Sequence, residues 1–135
     1  MSELTSPGYV LVVEDMAFMR RALSMAIQKL GMAVQEAGSA AEAKRLLKDK
    51  APELIFLDIG LPDMDGIEMC RWIRCQQGME KIPVIICTAH QGREEVVRAI
   101  EARATDYILK PIQAEVVQER VRKHLGLGDD PVPGG

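Results

Sequence analysis

Glu53-Leu54-Ile55-Phe56-Leu57-Asp58 follows Pro52 and runs four consecutive apolar residues into a carboxylate. An apolar run without polar alternation is the pattern of a strand buried on both faces of a parallel sheet. Asp58 falls where that strand ends and the loop Ile59-Gly60-Leu61-Pro62-Asp63 begins. In open α/β sheets ligands bind along this carboxyl-end rim. A single aspartate there says little, so the reading turns on what else reaches the same edge.

Other stretches have the same form. Tyr9-Val10-Leu11-Val12-Val13 ends in Glu14-Asp15, Val84-Ile85-Ile86-Cys87 follows Pro83 and ends in Thr88, and Asp106-Tyr107-Ile108-Leu109 ends in Lys110-Pro111. A proline opening a strand is tolerated because its missing N–H lies outside the ladder. Ala33-Val34-Gln35-Glu36-Ala37 is more polar, as an edge strand can be. Helical spacing joins Ala22, Leu23, Ala26, Ile27 and Leu30, with Gly31 placed to end that helix. Ser39 with Glu42 is a capping-box pattern ahead of Ala43, Leu46 and Leu47. Asp65 with Glu68 opens a helix whose inner face is Ile67, Cys70 and Ile73. Val96, Val97 and Ile100 mark a fourth helix, and Val117, Val121 and Leu125 a fifth. Strand–helix alternation with right-handed crossovers predicts a three-layer α/β fold, a parallel five-stranded sheet with helices on both faces.

The 135 residues suit one ordinary domain, and 47% hydrophobic with 27% charged residues is a soluble globular composition. Residues 1–8 read as a flexible N-terminal arm, 9–125 as the domain, and the Gly- and Pro-rich residues 126–135 as a flexible tail or linker stub. A net charge of -3 argues against direct nucleic-acid binding or an anionic membrane surface. The densest basic cluster, Arg120-Val121-Arg122-Lys123-His124, reads as a solvated helix face. No run reaches membrane-spanning length, the N-terminus lacks a secretion signal, and three cysteines read as reduced thiols, so a cytoplasmic location is expected. Five aromatic residues leave few stacking surfaces.

In a parallel sheet all strand ends lie on one edge. That edge collects Glu14, Asp15, Asp58, Thr88 and Lys110 from four different strands. Clustered carboxylates repel one another, which makes sense around a hard divalent cation such as Mg²⁺. A lysine and a hydroxyl beside them supply a point charge and a donor for phosphoryl oxygens. A carboxylate can itself be the nucleophile, forming an acyl phosphate. Taken singly, Glu14-Asp15, Asp58 and Thr88 also read as capping residues, and Lys110 as a solvated loop residue. Their joint placement at four strand ends favours a shared site.

Val12-Val13-Glu14-Asp15, Leu57-Asp58-Ile59-Gly60-Leu61-Pro62-Asp63-Met64-Asp65-Gly66, Cys87-Thr88-Ala89 and Asp106-Tyr107-Ile108-Leu109-Lys110-Pro111 resemble the motifs of receiver domains of two-component response regulators. The resemblance runs from Tyr9 to about Leu125 and implies a doubly wound, flavodoxin-like sheet of order 2-1-3-4-5. It also implies that Asp58 accepts a phosphoryl group from a sensor histidine kinase or a histidine phosphotransfer protein. Asp15 would then bind Mg²⁺ directly, with Mn²⁺ able to substitute, and Glu14 mostly through water. Asp58 and the Gly60 carbonyl would complete the protein ligands. Thr88, the Ala89 amide and Lys110 would contact phosphoryl oxygens, and the bond before Pro111 would be cis. Thr88 and Tyr107 would form a switch that alters the surface of the fourth helix, fifth strand and fifth helix toward a downstream partner or effector. Such a domain is not an enzyme beyond its own phosphorylation and dephosphorylation.

Two departures stand out. Where the family commonly has Gly-Ala before the fifth strand, this chain has Arg103-Ala104, so an arginine at the helix C′ position must adopt φ > 0 or the helix must end differently. Gly60 and His90, each two residues past a site residue, occupy family-variable positions at the site mouth. Two other functions compete. A Mg²⁺-dependent phosphohydrolase would need a second acid–base carboxylate, where this chain has Gly60, and a substrate-enclosing cap. A receiver-like module that binds partners without phosphorylation would not need all five rim side chains. The chain reads either as a complete single-domain regulator or as a receiver cut from a longer protein.

Overall fold

The computed structural model describes residues 8–89 and 92–127, so His90, the residues 1–7 of the expected arm and the residues 128–135 of the expected tail lie outside the described residues. In chain order the elements are β1 (Tyr9–Val13), α1 (Ala17–Gln28), β2 (Ala33–Ala37), α2 (Ala40–Asp49) and β3 (Leu54–Asp58), then α3 (Gly66–Arg74), β4 (Val84–Thr88), α4 (Arg93–Glu101), β5 (Asp106–Leu109) and α5 (Ala114–Leu125). All strand pairings are parallel, and the order is β2-β1-β3-β4-β5. The doubly wound reading of the sequence is the fold observed.

Alternation along each strand sorts the core into two clusters. Tyr9, Leu11, Val13, Ile55, Leu57, Val84 and Ile86 pack with residues of α2, α3 and α4. Val10, Val12, Leu54, Phe56, Ile85, Cys87 and Ile108 pack with residues of α1 and α5. β1, β3 and β4 are buried along their whole length, whereas β2 alternates at the sheet edge. Among the described residues no helix is long and apolar enough to cross a membrane. Cys70 and Cys87 are buried thiols and Cys75 is exposed.

Several local readings change. α1 ends at Gln28, and Gly31 takes φ 84 in the turn beyond it. Ser39 caps α2 by accepting from Glu42 N–H, but Glu42 reaches back to Gly38 N–H at 2.8 Å instead of completing the box on Ser39. Asp63 adds a second cap to α2, accepting from Ala40 and Ala41 N–H at 2.8 and 2.9 Å. Val97 and Ile100 do lie on a helix, but on its outer side at 43% and 67% exposure; Ala99 is the buried residue of α4. Arg103 is the C′ residue of α4 with φ 64, and its N–H and that of Ala104 close on the Ile100 and Ala99 carbonyls. A Schellman closure outweighs the cost of a non-glycine residue in the left-handed region.

The basic cluster on α5 is not a plain solvated face. Arg120 Nε and His124 Nε2 lie 3.0 and 2.9 Å from Asp106 Oδ2, although Nε is not aligned for a hydrogen bond, and Val121 is buried. Partial burial works to raise the Asp106 carboxyl, but the His124 bond, the Tyr107 N–H and the Arg120 charge outweigh it, so its pKa falls below the ordinary 3.8.

Two outcomes follow for stability. A Cβ on Gly66 would meet the Asp58 carbonyl oxygen at 2.1 Å and the Ile59 Cα at 2.6 Å, both backbone atoms with no side chain to swing away. Gly66→Ala should therefore cost about 2–3 kcal/mol in urea unfolding, against the gain alanine usually brings inside a helix. Asp106, with its folded pKa depressed, contributes stability that is complete above its unfolded value and lost as pH falls through the folded one. Asp106→Asn should lower the unfolding free energy by about 1 kcal/mol at pH 6, held to that size by solvent screening. The deficit should shrink as pH falls below the ordinary carboxylate range and the folded Asp106 carboxyl takes up its proton.

Candidate functional site

The ends of β1, β3, β4 and β5 meet at one rim, and strand alternation decides which way each functional side chain points. Glu14 continues the Val10-Val12 series, Asp58 the Leu54-Phe56 series and Lys110 that of Ile108, so all three turn to the α1/α5 side. Thr88 continues Val84-Ile86 on the α4 side, and Tyr107 shares that side through its register partner Ile86. The rim is therefore two half-sites divided by the plane of the sheet.

In the first half-site the Lys110 Nζ lies 2.8 Å from Asp58 Oδ1 and 3.1 Å from Glu14 Oε1. Glu14 is buried at 1% exposure and Asp58 at 6%, while Asp15 is exposed. Burial pushes the Glu14 carboxyl above its ordinary value, opposed by the Met16 N–H and by Lys110 and reinforced by the Asp58 charge. Burial acts to lower the Lys110 ammonium, but the Asp58 bond and charge, then those of Glu14, outweigh it and raise its pKa. Burial also drives the neighbouring Cys87 thiol up to about 12, which leaves it an inert filler. Lys110–Pro111 is a cis peptide bond.

Glu14, Asp15 and Asp58 each bring one carboxylate oxygen to within 4.8 Å of the others. The Lys110 ammonium pairs with two of these three carboxylates, so negative charge is left over. An all-oxygen donor set with excess negative charge fits Mg²⁺ or Mn²⁺. Gly60 is exposed in the loop after Asp58, and a Cβ there would come no nearer than 3.8 Å, to Asp58 Oδ2.

In the second half-site the Thr88 Oγ1 donates to Glu95 Oε1 at 3.1 Å. A void of about 10 Å³ lies against Thr88, Glu95, Ala99 and Tyr107, which is 37% exposed. Ala89 follows on the exposed loop. All five rim side chains thus reach the same edge, but Thr88 and Tyr107 face away from the carboxylates, and His90 lies outside the described residues.

The capping alternatives fare unevenly. Glu14 does accept the Met16 N–H at 3.1 Å at the start of α1, while α3 is capped by Asp65 and α4 has no side-chain cap. Sequence reasoning did not single out Arg20, whose guanidinium donates to the Glu14 carbonyl at 2.8 Å, or Glu95. Glu95 carries a faint signal, an acidic residue in the first turn of the helix after Thr88. A cleft of about 750 Å³ opens at the opposite sheet edge, between Pro52 and Pro83, and gathers no comparable set of groups.

The response regulator receiver domain family matches residues 10–122. The chain is 37% identical over 120 residues to the transcriptional regulatory protein AfsQ1 of Streptomyces coelicolor, covering 89% of this chain and 52% of that protein. It is 37% identical over 123 residues to the transcriptional regulatory protein PhoP of Escherichia coli O157:H7, covering 87% and 54%. The chain spans about half the length of these curated relatives. Among solved structures, the signal receiver domain of a signal transduction histidine kinase from Syntrophus aciditrophicus aligns with a TM-score of 0.82 at 31% identity, over 93% of this chain and 97% of that one.

Proposed function

The chain belongs to the response regulator receiver domain family, whose members are signalling modules that work by phosphorylation, and from that premise we propose that Asp58 is its phosphoacceptor. The observation that carries the reading is the Lys110 ammonium 2.8 Å from a buried aspartate, with two more carboxylates gathered at the same strand ends. The donor is a phosphohistidine on a sensor histidine kinase or a histidine phosphotransfer protein. An Asp58 oxygen forms the new O–P bond as the donor N–P bond breaks, its electron pair returning to the imidazole nitrogen. Lys110 exchanges the Asp58 oxygen for a phosphoryl oxygen, and the Thr88 hydroxyl and Ala89 N–H donate to the others. Glu14, Asp15, Asp58 and the Gly60 carbonyl would hold Mg²⁺, which would supply charge neutralisation there.

This chemistry is confined to the domain's own phosphorylation and dephosphorylation. The domain proper is residues 9–125, and its location is cytoplasmic. Beside the rim an apolar groove of about 300 Å³ runs between Phe18 and Ala22 of α1 and Pro111 and Val117, with Phe18 81% exposed. That surface suits a protein donor better than a small molecule. Thr88 and Tyr107 form the switch, and the exposed Val97, Ile100 and Tyr107 present its output on the α4–β5–α5 face. With net charge -3 the domain itself makes no direct nucleic-acid contact.

Incubation with acetyl phosphate and Mg²⁺ should label Asp58 alone, by intact mass and peptide mapping, and Asp58→Asn should abolish the label. Label at another carboxylate of the wild type would sink the assignment. Mg²⁺ should raise stability by mass action, about 2.7 kcal/mol at a hundredfold excess over Kd. Asp15→Asn should raise the metal-free melting temperature by relieving repulsion and blunt the Mg²⁺ response. A mutant that responds as strongly as wild type would remove Asp15 from the ligand set.

A further inference from the structure

The Thr88 hydroxyl carries one proton, and in this structure it is committed to Glu95. Thr88 is 5% exposed, and its Oγ1 donates to Glu95 Oε1 at 3.1 Å on the α4 side of the sheet. Glu95 belongs to the first turn of α4, whose N-cap residue Gly92 supplies no side-chain bond. A hydroxyl with a single proton can donate to a carboxylate on α4 or to a phosphoryl oxygen at Asp58, but not to both.

From this competition we propose that Glu95 is a positioning residue, a lock that holds the Thr88 hydroxyl and the first turn of α4 in the unphosphorylated arrangement. The inference rests on the reading of Asp58 as phosphoacceptor. A phosphoryl group adds nearly two negative charges and three acceptor oxygens at the rim. It competes for the Thr88 proton and repels the Glu95 carboxylate, so both effects open the same bond. Thr88 turns toward Asp58, and the space it leaves adjoins the void against Tyr107. Released from β4, the first turn of α4 is free to shift. Glu95 thereby sets the balance between the two arrangements and, by linkage, the affinity of the site for a phosphoryl group.

The test is titration with beryllofluoride, a phosphoryl mimic, at saturating Mg²⁺, followed by NMR for wild type, Glu95→Ala, Glu95→Gln, Thr88→Ala and the double mutant Thr88→Ala/Glu95→Ala. Breaking a charge-assisted hydrogen bond that opposes binding should lower the apparent Kd of Glu95→Ala roughly three- to tenfold. Glu95→Gln, whose amide oxygen still accepts, should fall between that variant and wild type, and it keeps the test open should the alanine variant fold poorly. In the metal-free protein the Thr88 methyl resonance of Glu95→Ala should move toward its position in beryllofluoride-bound wild type. Glu95 also stands at a helix N-terminus, where an acidic side chain is favourable on its own account. The double mutant separates that structural role: with Thr88 absent, removing Glu95 should leave the affinity unchanged. An affinity unchanged or weakened in Glu95→Ala, or an equal gain in the Thr88→Ala background, overturns the lock. Absence of any Mg²⁺-dependent response in wild type would instead bring down the phosphoacceptor reading, and the lock with it.

Discussion

One ammonium holds the rim together. Lys110 Nζ sits 2.8 Å from Asp58 and 3.1 Å from Glu14, so a single side chain joins the ends of β5, β3 and β1. β5 is not adjacent to β3; β4 lies between them. Two strand spacings are roughly 10 Å, a gap that needs a long flexible stem and a compact charge at its tip. The β4 residue beneath that stem, paired in register with Asp58 on one side and Ile108 on the other, is Cys87. Its thiol stays neutral, so nothing on β4 competes for the lysine. The carboxylates, the lysine and the inert residue between them are one electrostatic arrangement spread over four strands.

The arrangement is tight without being balanced. Burial alone would drive Glu14 toward its neutral form and Lys110 toward its free base. Mutual attraction keeps the lysine charged, with its pKa raised, but Glu14 remains above its ordinary value because Asp58 adds repulsion to burial. A cation or a phosphoryl group entering the site therefore meets groups already drawn together and under charge stress. On the proposed reading, metal and phosphoryl group would act in opposite directions on that stress. The first would relieve repulsion among the carboxylates, and the second would add charge that Lys110 would leave Asp58 to meet.

The strands and the rim were legible because each strand is a short apolar run that stops at a polar residue. Parallel topology then brings those stops to one edge with no further information. What the runs did not convey is the split between faces. Counting in twos from the core residues separates Glu14, Asp58 and Lys110 from Thr88 and Tyr107, and it needs register and packing as well as sequence. The exposed Val97 and Ile100 show the limit of helical spacing as a signal: an apolar stripe marks a helix but does not say whether the stripe meets the sheet. Asp106 with Arg120 and His124 shows the same limit for charge, since a basic cluster reads alike whether solvated or paired.

α4 is the element that these limits conceal, and its two ends are held by different physics. Its buried contribution to the core is Ala99, a small anchor for a helix of nine residues. At the C-terminal end Arg74, a buried guanidinium, donates to the carbonyls of Arg103, Met79 and Ile82 and to Thr105 Oγ1. Cys70 Sγ donates to the Ala102 carbonyl, and the Schellman bonds close the turn. Breaking that end would strand a buried charge, which is among the costlier events in a fold. Toward the N-terminal end the tie is the Thr88–Glu95 bond, a side-chain contact with ready substitutes in water or an anion, and the pair of Arg98 with Asp65 in the last turn is half-exposed. A helix fastened by a buried network at one end and by an exchangeable bond at the other would move by pivoting. On the proposed lock, the end free to move would be the one that touches Thr88, so a change of one hydrogen bond at the rim would become a displacement of the exposed face bearing Val97 and Ile100.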